Sequence, residues 1–288
     1  LRQIANIYNS IQAALAGAER VFEILDAPAE SPDEPGIAPL KEVDGHIKLE
    51  SVQFEYLPGQ PIITDMTLEA RTGQTVALVG PTGAGKTTIV NLLGRFYDLQ
   101  SGRITIDGQD IRSLPRTEMR RKLGIVLQDT FLFADTVMEN IRYGRLEATD
   151  EEVIHAAELA DADHFIRQLP QGYKTILTER AGNLSQGQRQ MLAIARAILA
   201  DPVILVLDEA TSSVDTRTEA RIQKALLRLM DGRTSFVIAH RLSTIREADK
   251  VVVIDKGRIV EQGTHQELLA LRGFYHRLYL SQFKGQEI

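Results

Sequence analysis

Eight consecutive residues limit what this chain can fold into more than any other stretch: Gly80-Pro81-Thr82-Gly83-Ala84-Gly85-Lys86-Thr87, followed by Thr88. Their spacing is G-x-x-x-x-G-K-[ST]. Ahead of them runs Thr75-Val76-Ala77-Leu78-Val79, an apolar, β-branched run that reads as a buried strand. After Thr88, Ile89, Val90, Leu92 and Leu93 recur at helical spacing. A strand, a glycine loop and a helix in that order form a phosphate cradle. The glycines let backbone N–H groups turn inward, and the helix start adds partial positive charge at the same point. In such a cradle Lys86 would reach the β- and γ-phosphates of a nucleotide, and the Thr87 hydroxyl would sit on Mg²⁺. A glycine-rich turn with no ligand is the plainer alternative; the flanking strand and helix favour the cradle.

Bulk properties narrow the class. The 288 residues suffice for a full core and a second small lobe. A net charge of −6 argues against a nucleic-acid groove as the main surface. It does not argue against ATP, because a local nest of N–H groups and one lysine set the field that phosphates feel. There is no cysteine, hence no disulfide framework and no thiolate zinc site. No run of about 18 apolar residues is present to span a bilayer. The chain begins at Leu1 without methionine or a signal peptide and is expected to be a fragment of a longer protein.

Along the chain, Ile4, Ile7, Ile11, Leu15, Ala18, Phe22 and Leu25 recur in steps of three and four, which predicts an amphipathic helix. The Pro- and acid-rich stretch Ala27–Gly36 reads as a linker, so the helix is expected to belong to a missing domain. From Gly45 the period changes to two. One strand runs through Ile47, Leu49, Val52, Phe54 and Tyr56 with a bulge near Glu50-Ser51, and a second runs from Ile62 to Glu69. A third, Gly102 to Gly108, ends in an Asp-Gly turn, and Ile125-Val126-Leu127 reads as a short buried strand ending at Gln128. Residues 135–200 are mostly helical in pattern, with Asp150-Glu151-Glu152 opening one helix and Ser185 as N-cap of another. Strands at 203–207, 236–239 and 251–255 then alternate with helices, and a last helix is predicted over 266–279. Alternation of this kind predicts a parallel sheet covered by helices.

Two further stretches carry chemistry. Val203–Leu207 is an apolar strand capped by Asp208 and Glu209. Sites gather at the C-terminal ends of such strands. Behind a phosphate loop, Asp208 is placed to hold Mg²⁺ and Glu209 to deprotonate an attacking water. A solvated acidic turn is the plainer alternative. Leu184-Ser185-Gln186-Gly187-Gln188 opens a helix, either as a simple cap or as a second anion site.

Together these stretches resemble the nucleotide-binding domain of an exporter-type ABC transporter over residues 46–280. That family's signature is Leu-Ser-Gly-Gly-Gln, here Leu184-Ser185-Gln186-Gly187-Gln188. The resemblance implies an α/β fold: a P-loop NTPase core with a mostly parallel sheet covered by helices, an N-terminal antiparallel β subdomain and an inserted α-helical subdomain at about 130–200. It implies that Tyr56 stacks on adenine, that residues 80–88 hold the ATP phosphates, and that Thr87, Gln128 and Asp208 hold Mg²⁺. Glu209, His240 and Gln128 would be catalytic, and the loop with Ser213 and Asp215 would meet a second domain. The plain alternatives are a strand aromatic for Tyr56, a polar strand end for Gln128 and a bystander for His240. Two copies would pair head to tail, so that Ser185 and Gly187 touch the γ-phosphate of the ATP held by the partner.

Two departures stand out. Gln186 replaces the second signature glycine, which a helix start tolerates, and Val214 replaces a leucine. Thr178–Gly182 also differs from the exporter pattern. The exporter assignment rests on residues 1–26 as the cytoplasmic end of a last transmembrane-domain helix, on the Thr130–Val137 run at the surface facing the membrane domain, and on the chain stopping after its final helix. The expected organisation is that helix at 1–26, a linker at 27–44 and the nucleotide-binding domain at 45–288. The resemblance implies a soluble fragment on the cytoplasmic side of a membrane, a transmembrane domain as partner, and no nucleic acid. A non-transport ATPase acting on nucleic acid or ribosomes would carry insertions and basic surfaces that are not visible here. A module that holds ATP without cleaving it fits poorly with Gln128, Glu209 and His240 all being in place.

Overall fold

The apolar stripe of residues 4–25 forms a 24-residue helix, α1 (Arg2–Leu25), in a unit that ends at residue 36. This computed structural model describes residues 2–27, 30, 33, 42–127, 130–208, 215–239 and 241–282. Most of the expected linker lies outside them.

The second unit, residues 37–288, holds two sheets. The first is antiparallel: β1 (Ile47–Glu55), β2 (Pro61–Ala70), and, after β3 (Thr75–Val79) and α2 (Lys86–Leu93), the hairpin of β4 (Ser101–Ile106) and β5 (Gln109–Asp110). Their order is β2-β1-β4-β5. The expected bulge is present: pairing of β1 with β2 slips between Leu49 and Val52, and Ser51 takes a left-handed φ of 46°. The bulge pushes the Glu50 and Ser51 carbonyls toward Gly102. A Cβ at Gly102 would lie 2.5 Å from the Ser51 oxygen, so only glycine fits the facing position.

The second sheet follows α3 (Arg116–Arg121). Its strands are β6 (Leu123–Val126), β7 (Ile204–Asp208), β8 (Thr234–Ile238), β9 (Lys250–Asp255), β10 (Arg258–Gly263) and β3, in the order β10-β9-β3-β8-β7-β6. All neighbours are parallel except β10, which returns antiparallel from β9. Between β6 and β7 lie the helices α4 (Val137–Arg142), α5 (Asp150–Leu159), α6 (Asp163–Gln168) and α7 (Gln186–Ala200). The remaining helices are α8 (Thr216–Met230), α9 (Leu242–Glu247), α10 (His265–Leu271) and α11 (Phe274–Gln282).

Both faces of this sheet are covered, so its strands are continuous apolar runs rather than alternating ones. Val76, Leu78, Ile204, Val206, Val252 and Ile254 pack with α2 and the antiparallel sheet. Their sequence neighbours Ala77, Val79, Leu205, Leu207, Val251 and Val253 pack with α4–α8 on the other face. The phosphate-loop helix and the inserted helices thus lie on opposite sides of one sheet.

Four elements differ from sequence expectation. The strand predicted at 125–127 runs from Leu123 to Val126 at the sheet edge, with Val126 alone buried and Leu127 beyond it 52% exposed. Among the described residues it pairs only with β7, at the edge of the sheet. The helix predicted over 266–279 is two helices. Arg272 turns left-handed (φ 52°) and the Glu261 carboxylate accepts from the Phe274 and Tyr275 N–H groups at 2.6 and 2.8 Å, capping a new helix start. Strand β10 and helix α3 were not anticipated, because both are short and rich in charged residues.

Candidate nucleotide site

Strand β3 delivers the chain into the glycine loop, and α2 takes it out. A Cβ at Gly80 would lie 2.1 Å from the Ile254 carbonyl, and one at Gly85 2.8 Å from Ile63. Gly85 is also left-handed (φ 103°) and stands at the start of α2, where no side chain caps the helix. That start has its N–H groups available to an anion. The hairpin turn between β9 and β10 braces the loop: Gly257 N–H donates to the Ala84 carbonyl at 3.1 Å, while its own carbonyl accepts from Thr64 N–H of β2 at 2.9 Å.

Lys86 is 8% exposed. Its Nζ donates to the carbonyls of Gly80 (2.8 Å) and Pro81 (2.9 Å). An ammonium has three hydrogens, so one remains beyond these two bonds. Burial pushes its pKa below the ordinary lysine value, and the nearby Asp208 carboxylate pulls it back. The side chain is therefore a partly desolvated cation curled against its own loop, which is the arrangement a polyphosphate oxygen can complete.

The strand ends line up on the same edge. Asp208 pairs with Ile238, which pairs with Leu78, and Ala239 N–H donates to the Leu78 carbonyl at 3.2 Å. Gln128, Glu209, Ser213 and His240 lie outside the described residues. Their described neighbours are Leu127 and Ala239, which follow β6 and β8, and Asp208, which ends β7, at the edge that carries the loop. Tyr56 stands beside α2: its hydroxyl donates to Thr88 Oγ1 (3.3 Å) and accepts from Asn91 Nδ2 (3.1 Å). Its ring packs edge-on against Phe54 and Tyr97 and is 42% exposed, which leaves a face open to a base. Thr88 is buried under this contact, whereas Thr87 is exposed at the first turn of α2.

Ser185 caps α7 reciprocally. Its Oγ accepts from Gln188 N–H at 3.3 Å, and Gln188 Oε1 accepts from Ser185 N–H at 2.9 Å. Leu184 and Gly187 are buried, and Gln186 is the first helical residue, in ordinary helical conformation. A glutamine is accommodated there without strain.

Residues 63–212 match the family described as "ABC transporter". The chain belongs to the ABC transporter family. It is 55% identical over 279 residues to the "Fatty acid ABC transporter ATP-binding/permease protein" of Mycobacterium tuberculosis, covering 96% of this chain and 44% of that protein. It is 48% identical over 288 residues to the "ATP-dependent lipid A-core flippase" of Syntrophus aciditrophicus, covering 100% of this chain and 48% of that protein. Among solved structures it resembles a bacterial Atm1-family ABC exporter with ATP bound, with a TM-score of 0.85, 43% identity, and coverage of 96% of this chain and 48% of that one. The chain thus spans about half the length of the relatives it matches. It is an ATP-binding domain of this family. Among the described residues, no helix is long and apolar enough to cross a membrane.

For an ABC domain the metal question is specific. Among the described residues no three His, Cys, Asp or Glu side chains could cage an ion by themselves. What the site offers is the Asp208 carboxylate, within electrostatic reach of Lys86, and the exposed Thr87 hydroxyl. That set fits Mg²⁺, which takes one or two protein oxygens and completes its shell with water and phosphate.

Two features escaped the sequence reading. Asp215 is the N-cap of α8, its Oδ1 accepting from Thr218 N–H at 3.0 Å. The spacing Asp215-x-x-Thr218 before a helical pattern was the available signal. The second feature is a groove of about 780 Å³ between the end of β6 and α7, lined in part by Leu127, Thr130, Phe131, Tyr143 and Arg196. Arg196 holds this wall together. It donates to the Phe131 and Asn140 carbonyls and lies over the rings of Phe133 and Tyr143. Buried Asn140 bonds both the N–H and the carbonyl of Phe133.

Proposed function

We propose that this domain works as one of two ATPase subunits that clamp ATP between them and power export across a membrane. The observation that carries the reading is the phosphate loop at the sheet edge, with buried Lys86 on its own carbonyls and the Asp208 carboxylate, at the end of β7 two strands over, within electrostatic reach. Residues 80–88 hold the phosphates and Tyr56 faces the adenine. Thr87, Gln128 and Asp208 would hold Mg²⁺, which would supply positive charge against the phosphates. Glu209 takes a proton from the attacking water, and His240 and Gln128 position that water and the γ-phosphate.

The second copy enters because one chain keeps its two anion-binding elements apart. Helix α2 packs on one face of the sheet and α7, which Ser185 caps, on the other. A head-to-tail pair would bring the Leu184–Gln188 segment of one copy onto the ATP of its partner, with the Ser213–Asp215 loop at the contact. Ser185 supports that role: its oxygen accepts a helix N–H, which leaves its own proton to donate. The groove beside Thr130–Val137 has exposed Phe131 and Leu127 on its rim and suits a transmembrane partner. Residues 1–26 are the cytoplasmic end of that partner's last helix, 27–44 are a linker, and 45–288 form the ATPase on the cytoplasmic side. The relatives' names include ATP-binding/permease proteins and a lipid flippase, which supports a permease part and an amphipathic cargo.

The test is Glu209→Gln. Loss of a general base costs about 10²- to 10⁴-fold in turnover. The variant is expected to lose phosphate release by that order, to retain ATP binding, and to run as a dimer with ATP in size-exclusion chromatography. Unchanged steady-state hydrolysis would remove Glu209 from the mechanism.

A further inference from the structure

Arg241 follows position 240 directly and opens α9, and it is only 9% exposed. Its guanidinium crosses to α8, where Nη2 meets Glu219 Oε1 at 3.2 Å and Nη1 donates to Gln223 Oε1 at 3.2 Å. Gln223 in turn donates to Thr244 Oγ1 of α9 at 3.1 Å. Glu219 and Gln223 are four apart, so they present one face of α8. The first turn of that helix is itself pinned: Asp215 caps it through Thr218 N–H, and Glu219 N–H donates to the Asp215 carbonyl at 2.9 Å. Asp215 closes the stretch that begins at Glu209, straight after β7. The starts of α8 and α9, the helices that come after β7 and β8, are therefore joined by one fork of hydrogen bonds.

We propose that Arg241 is a positioning residue for ATP hydrolysis, acting through Glu219 and Gln223 to hold in mutual register the starts of α8 and α9, the helices that follow Glu209 and His240 in the chain. The proposal rests on the ATPase reading above. A planar guanidinium bonded at two positions of a rigid helix fixes its own backbone in both place and rotation, which an ammonium on a flexible stem does not. Misplacing a catalytic group by about 1 Å costs about 10²-fold in rate. The described bonds of the clamp join α8 to α9, so its loss is expected to fall on turnover more than on affinity.

The experiment compares Arg241→Lys, Glu219→Gln and the double variant with the unaltered chain, measuring kcat, ATP affinity by titration, and melting temperature. Each single variant is expected to lower kcat about 10- to 100-fold, with ATP affinity held within about threefold. The double variant is expected to be no slower than the worse single one, because the two residues act as one unit. Glu219, with 38% of its side chain exposed, provides a variant that folds even where Arg241→Lys does not. Hydrogen exchange supplies a readout independent of hydrolysis: residues 215–219 and 239–245 should exchange faster in both single variants while α2 is unchanged. The proposal is overturned if kcat is unaltered, if the two losses multiply, if affinity and melting temperature fall in step with kcat, or if exchange at those segments does not change. An unaltered chain that releases no phosphate defeats the ATPase reading, while the exchange result still decides whether the clamp exists.

Discussion

At the scale of single residues, Lys86 concentrates the chemistry of the site. Two of its hydrogens are held by the loop, and burial makes its charge costly until a phosphate arrives. Charge-assisted hydrogen bonds contribute about 1.5–3 kcal/mol, so Lys86→Ala is expected to weaken ATP binding about 10- to 100-fold. Titration with labelled ATP at fixed Mg²⁺ reads this directly, and full affinity in the variant would refute it. The loop was legible from sequence because its demands are local: glycines where a Cβ has no room, and a lysine at a fixed offset from them. Arg241 was not legible. Its role depends on partners 18 and 22 positions earlier in the chain, Gln223 and Glu219, and no spacing rule connects them.

At the scale of elements, the helices that announce themselves by caps were found where the sequence put them. Asp150–Leu159 and Gln186–Ala200 both begin in reciprocal capping boxes, Thr149 with Glu152 and Ser185 with Gln188. What failed were the sheet edge at β6, whose partner β7 lies far along the chain, the split of the last helix, and β10 and α3, which are short and charged. Glu261, on β10, is what starts α11. Asp215 extends the argument to pH. The Thr218 N–H first of all holds its carboxyl below the ordinary aspartate value. A folded pKa below the unfolded one contributes stability that is complete above the unfolded value and is lost as pH falls through the folded one. Urea unfolding is expected to show a larger drop in stability on acidification for the unaltered chain than for Asp215→Asn, which keeps a capping oxygen but does not titrate. Equal drops would remove Asp215 from the acid response.

At the scale of the whole molecule, the P-loop helix and the Ser185-capped helix belong to opposite faces of the sheet, and the proposed pairing would bring them together across two copies. Mixing two defective chains tests whether they complete one another. Lys86→Ala removes the loop cation, and Ser185→Arg blocks the serine-led helix start. Neither alone is expected to hydrolyse ATP at a measurable rate, whereas an equimolar mixture should recover hydrolysis, because half of each chain remains intact and a mixed pair assembles one complete site. A mixture as inactive as its components would show that each chain works by itself.

The turn at Gly257 bears on how often the cradle must be rebuilt. Its amide and carbonyl stitch the loop to β2 from outside, and a methyl group there would collide with the Ile62 oxygen at 2.0 Å. Gly80, at the loop's entrance, is pressed as closely against the Ile254 oxygen. The seat for the triphosphate is therefore fastened at both ends before anything arrives. The freedom of those residues is surrendered once, when the chain folds, and not again in each cycle of binding and release.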